Sequence, residues 1–213
     1  MSIDRKSLLL YAVTDRAWTG KKTLPQQIEE ALSGGVTCVQ LREKGLSEAE
    51  FVDEAVKVRA LCRAFGVPLI INDNLSVAVA SGADGIHVGA EDMAVSEIRA
   101  RTGRDFIIGA TAKTVAAAQK AEADGADYLG VGAVFPSPTK KNAVRIDARQ
   151  LKEICSSVSI PAVAIGGINL SNVDGLSGCG MSGIAVVSAI FAAEDIAAAA
   201  RELKQRAAKA VAE

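Results

Sequence analysis

The chain has 213 residues, of which 49% are hydrophobic but only 4% aromatic, and a formal net charge of -1. That length supports one sizeable core of Ala, Val, Ile and Leu, the usage of an α/β protein with buried parallel strands. The near-neutral balance excludes a global attraction to nucleic acid or an anionic membrane, so any anion must be held locally.

Residues 1–7 are polar, and the apolar run that follows ends at Thr14-Asp15, too short for a membrane span and without a signal-peptide cleavage pattern. It reads as a first strand, 8–13, with a helix from Leu24. The turn between them, Thr14 to Gly20, carries no G-x-G-x-x-G, which disfavours a nicotinamide cofactor. A second strand, 36–41, runs into Gln40-Leu41-Arg42-Glu43-Lys44. Alternation places Gln40 and Arg42 on one face, and Lys44 with them if the backbone stays extended. In isolation this is a surface turn with solvated charges; at the mouth of a site it is an anion clamp.

A helix from Ser47, where Ser47 and Glu50 fit a capping box, leads to strand 68–71 and Asn72-Asp73-Asn74. Strand 84–88 follows and ends in the segment His87 to Asp92. Asp73 and Asp92 then terminate neighbouring strands. Either can cap the next helix, but together, near Arg and Lys, they suit a magnesium ion bridging to phosphate oxygens. His87 is the only histidine; alternation leaves its face open, and it reads as structural. After a helix near Val95, strand 106–110 ends at Gly109-Ala110-Thr111.

A helix from Thr114 precedes strand 126–131, where Gly130 and Gly132, if inward, leave room for a flat ring. The longest connection follows, Phe135 to about Ile146. There Pro136 and Pro138 hold the chain extended, Ser137 and Thr139 offer hydroxyls and Lys140 a charge, which makes it a candidate lid. Asp147 with Gln150 marks another helix start. Strand 161–165 ends in Gly166-Gly167, a helix is expected from Asn169 or Ser171, and strand 183–187 opens through Val187 and Ser188 onto a short helix. A last helix from Asp195 closes the chain.

Eight β-α repeats without a break predict a single-domain (β/α)₈ TIM barrel over residues 1–213. Its active site belongs at the carboxyl ends of the strands, where these residues gather, and the loops after strands seven and eight predict a phosphate site of backbone N–H groups around Gly167, Val187 and Ser188. The cysteines Cys38, Cys62, Cys155 and Cys179 follow no metal spacing and read as free thiols in a reducing cytoplasm. The sequence leaves open whether copies assemble into a homo-oligomer.

Seven segments, taken in order, resemble the thiamine phosphate synthase family: 11–15, 40–44, 71–73, 87–92, 128–140, 165–168 and 185–190. The resemblance implies a TIM-barrel transferase that joins 4-amino-2-methyl-5-pyrimidinylmethyl diphosphate to 4-methyl-5-(2-phosphoethyl)thiazole, releasing diphosphate with Mg²⁺ as cofactor. It implies that Gln40, Leu41, Arg42, Glu43, Lys44 and Asn72 hold the pyrimidine diphosphate and that Asp73 and Asp92 bind the metal. Thr111 and Lys140 would touch the diphosphate end, with Arg42, Lys44 and Lys140 as the catalytic cations. Ser137, Pro138, Thr139, Gly167, Val187 and Ser188 would surround the thiazole phosphate. The chain departs from the family's usual pattern at Ala90, Thr111 and Ser137. The related TenI-type tautomerases and regulatory paralogues generally lack the paired aspartates and use a histidine near the position of Lys113. No predicted core strand carries the Schiff-base Lys of an aldolase.

Overall fold

Each predicted apolar run contains a strand: β1 (Leu10–Val13), β2 (Cys38–Leu41), β3 (Leu69–Asn72), β4 (Gly85–Val88), β5 (Ile107–Ala112), β6 (Tyr128–Gly132), β7 (Ala162–Ile165) and β8 (Gly183–Val186). In a computed structural model, which describes residues 3–20, 22–136 and 145–212, they pair in parallel in sequence order, and β8 returns to β1 with Ala12 opposite Val186. The barrel is closed, so no strand edge is left to be covered.

Alternation along the strands divides the core in two. Leu10, Ala12, Val39, Leu41, Leu69, Ile71, Ile86, Ile108 and Leu129 face the helices in one continuous apolar layer. Tyr11, Val13, Cys38, Ile70, Tyr128, Val163 and Ala185 fill the barrel interior. All four cysteines are free, and burial pushes the Cys62 thiol up to about 12, a level at which it stays protonated and inert.

The helices are α1 (Leu24–Ser33), α2 (Glu48–Ala64), α3 (Leu75–Ser81), α4 (Val95–Thr102), α5 (Val115–Ala123), α6 (Ala148–Ser156), the four-residue α7 (Ser188–Phe191) and α8 (Ile196–Ala212). The capping boxes at Ser47–Glu50 and Asp147–Gln150 are both formed, and Thr23–Gln26 makes a third. Each satisfies two backbone N–H groups that the first turn leaves without partners.

Two elements differ from expectation. The chain enters β1 at Leu10, because Arg5–Leu8 is a 3-10 turn capped by Asp4. The helix expected after β7 is only a 3-10 turn, Val173–Leu176. Its sequence, rich in Asn, Ser and Gly, competes with helix formation: Asn172 Oδ1 accepts from Asn169 N–H at 2.9 Å, and Asn169 Oδ1 from Ser171 N–H at 2.8 Å. Among the described residues, no helix is long and apolar enough to cross a membrane.

Candidate active site

At the carboxyl ends of the strands lies a cavity of about 280 Å³, the position that this architecture reserves for chemistry. Gln40, Arg42, Lys44, Asn72, Asp73, Asp92, Thr111, Gly167, Val187 and Ser188 all line it. Lys44, past the end of β2, does continue the row of Gln40 and Arg42 into the cavity.

Arg42 is fixed from two sides. Its backbone N–H donates to the buried hydroxyl of Thr14 at 2.9 Å, and its guanidinium lies 3.3 Å from Asp15. Lys44 Nζ lies 3.3 Å from Asp73 Oδ2. Burial raises the Asp73 pKa first, the adjacent Asp92 carboxyl raises it further, and Lys44 pulls the other way. Asp92 Oδ2 accepts from Gly89 N–H at 2.7 Å, which orients it toward its neighbour. Asp73 also holds a left-handed backbone, φ 62°, unusual for a residue with a side chain. Two carboxylates therefore face each other with one lysine to balance them. Among the described residues, no group of three or more His, Cys, Asp or Glu could hold a metal.

Leu41 and Glu43, expected with the substrate-holding residues, lie on the other side of the row. Leu41 is buried in the helix-facing layer. Glu43, its side chain 2% exposed, pairs with Arg16 at 2.7 Å, and its Oε1 has no partner among the described residues. The alternation that aims Arg42 inward turns these two side chains outward. Gly166 and Gly167 have φ of 102° and 66°, and what comes close to them is protein: a Cβ on Gly167 would stand 2.2 Å from the Pro136 carbonyl, and one on Gly166 would stand 2.5 Å from the Ala133 Cβ. Ser137, Pro138, Thr139 and Lys140 lie outside the described residues.

Below the cavity, five side chains form a continuous polar row across the barrel. Gln40 Nε2 donates to the Tyr11 hydroxyl at 2.8 Å, which meets the Tyr128 hydroxyl at 2.8 Å. The Tyr128 hydroxyl is 3.1 Å from His87 Nδ1, and His87 Nε2 is 3.0 Å from Thr111 Oγ1. Two glycines make room for it. A Cβ on Gly109 would lie 2.2 Å from Tyr128 Cζ and 2.5 Å from His87 Nδ1, and one on Gly130 2.9 Å from His87 Cε1. Gly130 thus does face inward, and the flat ring beside it is the protein's own imidazole. Burial lowers the His87 pKa to about 4 against an opposing pull from Asp92, so the ring is neutral at pH 7. Burial raises both tyrosines well above their usual value. His87, read from the sequence as structural with no face assigned, therefore lines the site, as does Lys113.

A closed (β/α)₈ barrel with cations, paired carboxylates and a polar floor at its carboxyl mouth defines a class: barrel enzymes whose strand-end loops bind anionic small molecules. The family model described as thiamine monophosphate synthase matches residues 10–190, and the chain belongs to that family. It is 46% identical over 194 residues to a thiamine-phosphate synthase of Clostridium tetani, covering 91% of this chain and 93% of that one. It is likewise 46% identical over 188 residues to one of Methanobrevibacter smithii, covering 88% and 90%. Among solved structures, a thiamine phosphate pyrophosphorylase from Pyrococcus furiosus superposes with a TM-score of 0.90 at 38% identity, covering 97% of this chain and 98% of that one. A 3-hexulose-6-phosphate synthase, 17% identical with a TM-score of 0.66, shares the fold.

Proposed function

We propose that this chain is a thiamine-phosphate synthase, a transferase that joins 4-amino-2-methyl-5-pyrimidinylmethyl diphosphate to 4-methyl-5-(2-phosphoethyl)thiazole and releases diphosphate. Family membership supports the reaction. The observation that carries the assignment of the site is the meeting of Lys44 with Asp73 beside Asp92, at the mouth lined also by Arg42, Asn72 and Thr111.

The substitution is dissociative. The bond from the pyrimidinylmethyl carbon to the bridging diphosphate oxygen breaks with both electrons going to oxygen, and the thiazole nitrogen then supplies the pair for the new C–N bond. That nitrogen carries no proton, so no general base is required. The neutrality of His87 at pH 7 accords with this without giving it a proton-transfer role. Departing diphosphate gathers charge that Arg42, Lys44 and Lys140 stabilise more than they stabilise the bound ester, which is the condition for lowering a barrier. Gln40 and Asn72 hold the pyrimidine, and Ser137, Pro138, Thr139, Gly167, Val187 and Ser188 surround the thiazole phosphate.

The acidic pair fits a magnesium ion. This hard cation takes one or two carboxylates, keeps several waters and completes its shell with substrate phosphate oxygens. Asp73 and Asp92 would hold it, and when bound it would neutralise the leaving group. The test is a coupling assay with both substrates, with and without EDTA. Thiamine phosphate is expected only when both substrates are present, with the rate lost on chelation and restored by Mg²⁺. A full rate in EDTA would refute the metal assignment, and no product under any condition would refute the reaction.

A further inference from the structure

The polar row beneath the cavity has a property that none of its members has alone. Each tyrosine hydroxyl brings one proton and the neutral imidazole brings one, and the four contacts from Gln40 to Thr111 need one proton each. If Thr111 turns its hydroxyl proton into the cavity, His87 Nε2–H must donate to Thr111, Tyr128 to His87 Nδ1, Tyr11 to Tyr128 and Gln40 to Tyr11. No other arrangement satisfies all four contacts with that proton turned outward. If Gln40 accepts, every bond in the row reverses and Thr111 uses its proton within the row. Mixed arrangements, in which one tyrosine oxygen accepts twice, also use the Thr111 proton within the row.

We infer that Gln40, Tyr11, Tyr128, His87 and Thr111 form a one-way hydrogen-bond relay that couples the two ends of the cavity floor, with Tyr11, Tyr128 and His87 as positioning residues that set specificity. The relay is built from β2, β1, β6, β4 and β5, so it spans the barrel and joins two cavity-lining residues on well-separated strands. Gln40 donates through Nε2, which leaves its Oε1 as an acceptor at the cavity. An anionic oxygen over Thr111 can only accept, and so it selects this direction. The acceptor at Gln40 follows, suited to an exocyclic amino group.

This inference rests on the proposed reaction for its ligand: diphosphate at the Thr111 end selects the relay direction that reads the amino group of the pyrimidine at the Gln40 end. Tyr128→Phe removes one hydroxyl from the middle of the relay and keeps the ring. The experiment compares kcat/KM for the aminopyrimidine diphosphate with that for its analogue bearing hydrogen in place of the amino group, in parent and variant. The preference for the amino substrate is expected to fall about tenfold in the variant, the scale of one hydrogen bond. The fall should come through KM for the pyrimidine, with KM for the thiazole phosphate unchanged. An undiminished preference in folded Tyr128→Phe overturns the relay. Tyr11→Phe severs it one joint nearer Gln40 and carries the same expectation should the first variant not fold. A parent inactive with both true substrates refutes the reaction instead. The relay is then judged by nitrogen-15 NMR of the single histidine in the presence of inorganic diphosphate: an Nε2-protonated tautomer supports the assigned direction, and an Nδ1-protonated one overturns it.

Discussion

Gly109→Ala is the sharpest probe of the floor, because it alters no polar atom and asks nothing unusual of the backbone. Gly109 lies inside β5, where alanine is sterically ordinary, so the whole penalty comes from the added methyl. That methyl would stand 2.2 Å from Tyr128 Cζ, 2.4 Å from its hydroxyl and 2.5 Å from His87 Nδ1. None of these atoms can retreat cheaply: Tyr128 is fully buried and also held by Tyr11. Overpacking of this kind costs about 1–3 kcal/mol. Parting Tyr128 from His87 leaves buried polar atoms unsatisfied for about 1–3 kcal/mol more. A total of about 2–6 kcal/mol, at roughly 2–4 °C per kcal/mol for a chain of this size, lowers Tm by about 4–24 °C. Gly130→Ala is a graded control. Its methyl would meet only the imidazole edge, at 2.9 and 3.2 Å, and roughly 1 kcal/mol is expected. Thermal melting followed by far-UV circular dichroism gives both values. Gly109→Ala melting within about 2 °C of the parent, or Gly130→Ala proving the worse of the two, would mean that the rings do not meet where the structure places them.

Two further outcomes are expected. Arg42→Ala, and likewise Lys140→Ala, should lower kcat by about 10²–10³ if each cation acts on the leaving group like an oxyanion-hole donor; unchanged turnover at saturating substrates would remove that residue from the mechanism. His87 sets a pH dependence of stability. Its folded pKa is depressed from 6.5 to about 4, so between these values the unfolded chain binds a proton that the folded one refuses. Its contribution is complete above pH 6.5 and is lost as pH falls toward 4. The ring lines the cavity and is only partly buried, so the loss is about 2 kcal/mol rather than the roughly 3 kcal/mol of a fully buried site. Urea unfolding from pH 7 to 4.5 should show the parent losing that much more than His87→Asn, and parallel curves would count against a neutral buried ring.

The strands were legible because their signals are local: a β-branched run followed by Asn, Asp, Gly or Ser needs no knowledge of the rest of the chain. The capping boxes at Ser47 and Asp147 are local in the same way. So was the gathering of Arg42, Lys44, Asp73, Asp92 and Thr111 at strand ends, since a barrel brings all its carboxyl ends to one side. The relay was not legible, because it depends on the inward parity of five strands at once. His87 could be given a face only after Asn72 was paired with it and Gly109 set opposite it. One signal was available: Gly109 and Gly130 lack side chains in adjacent apolar strands, a hint that bulky neighbours claim the space. The outward placement of the Glu43 side chain was hidden for the converse reason, since nothing local in the sequence announces its pairing with Arg16.

The relay also has an optical consequence. The chain contains only two tyrosines, and both are in it, with ring centroids 5.9 Å apart in an edge-to-face arrangement. The single tryptophan, Trp18, packs against the helix-facing layer, whereas both tyrosines belong to the barrel interior. Every tyrosine band in the near-ultraviolet spectrum therefore originates at the cavity floor. A shift of those bands on adding a ligand reports a change beneath the site, with no label and no engineered chromophore.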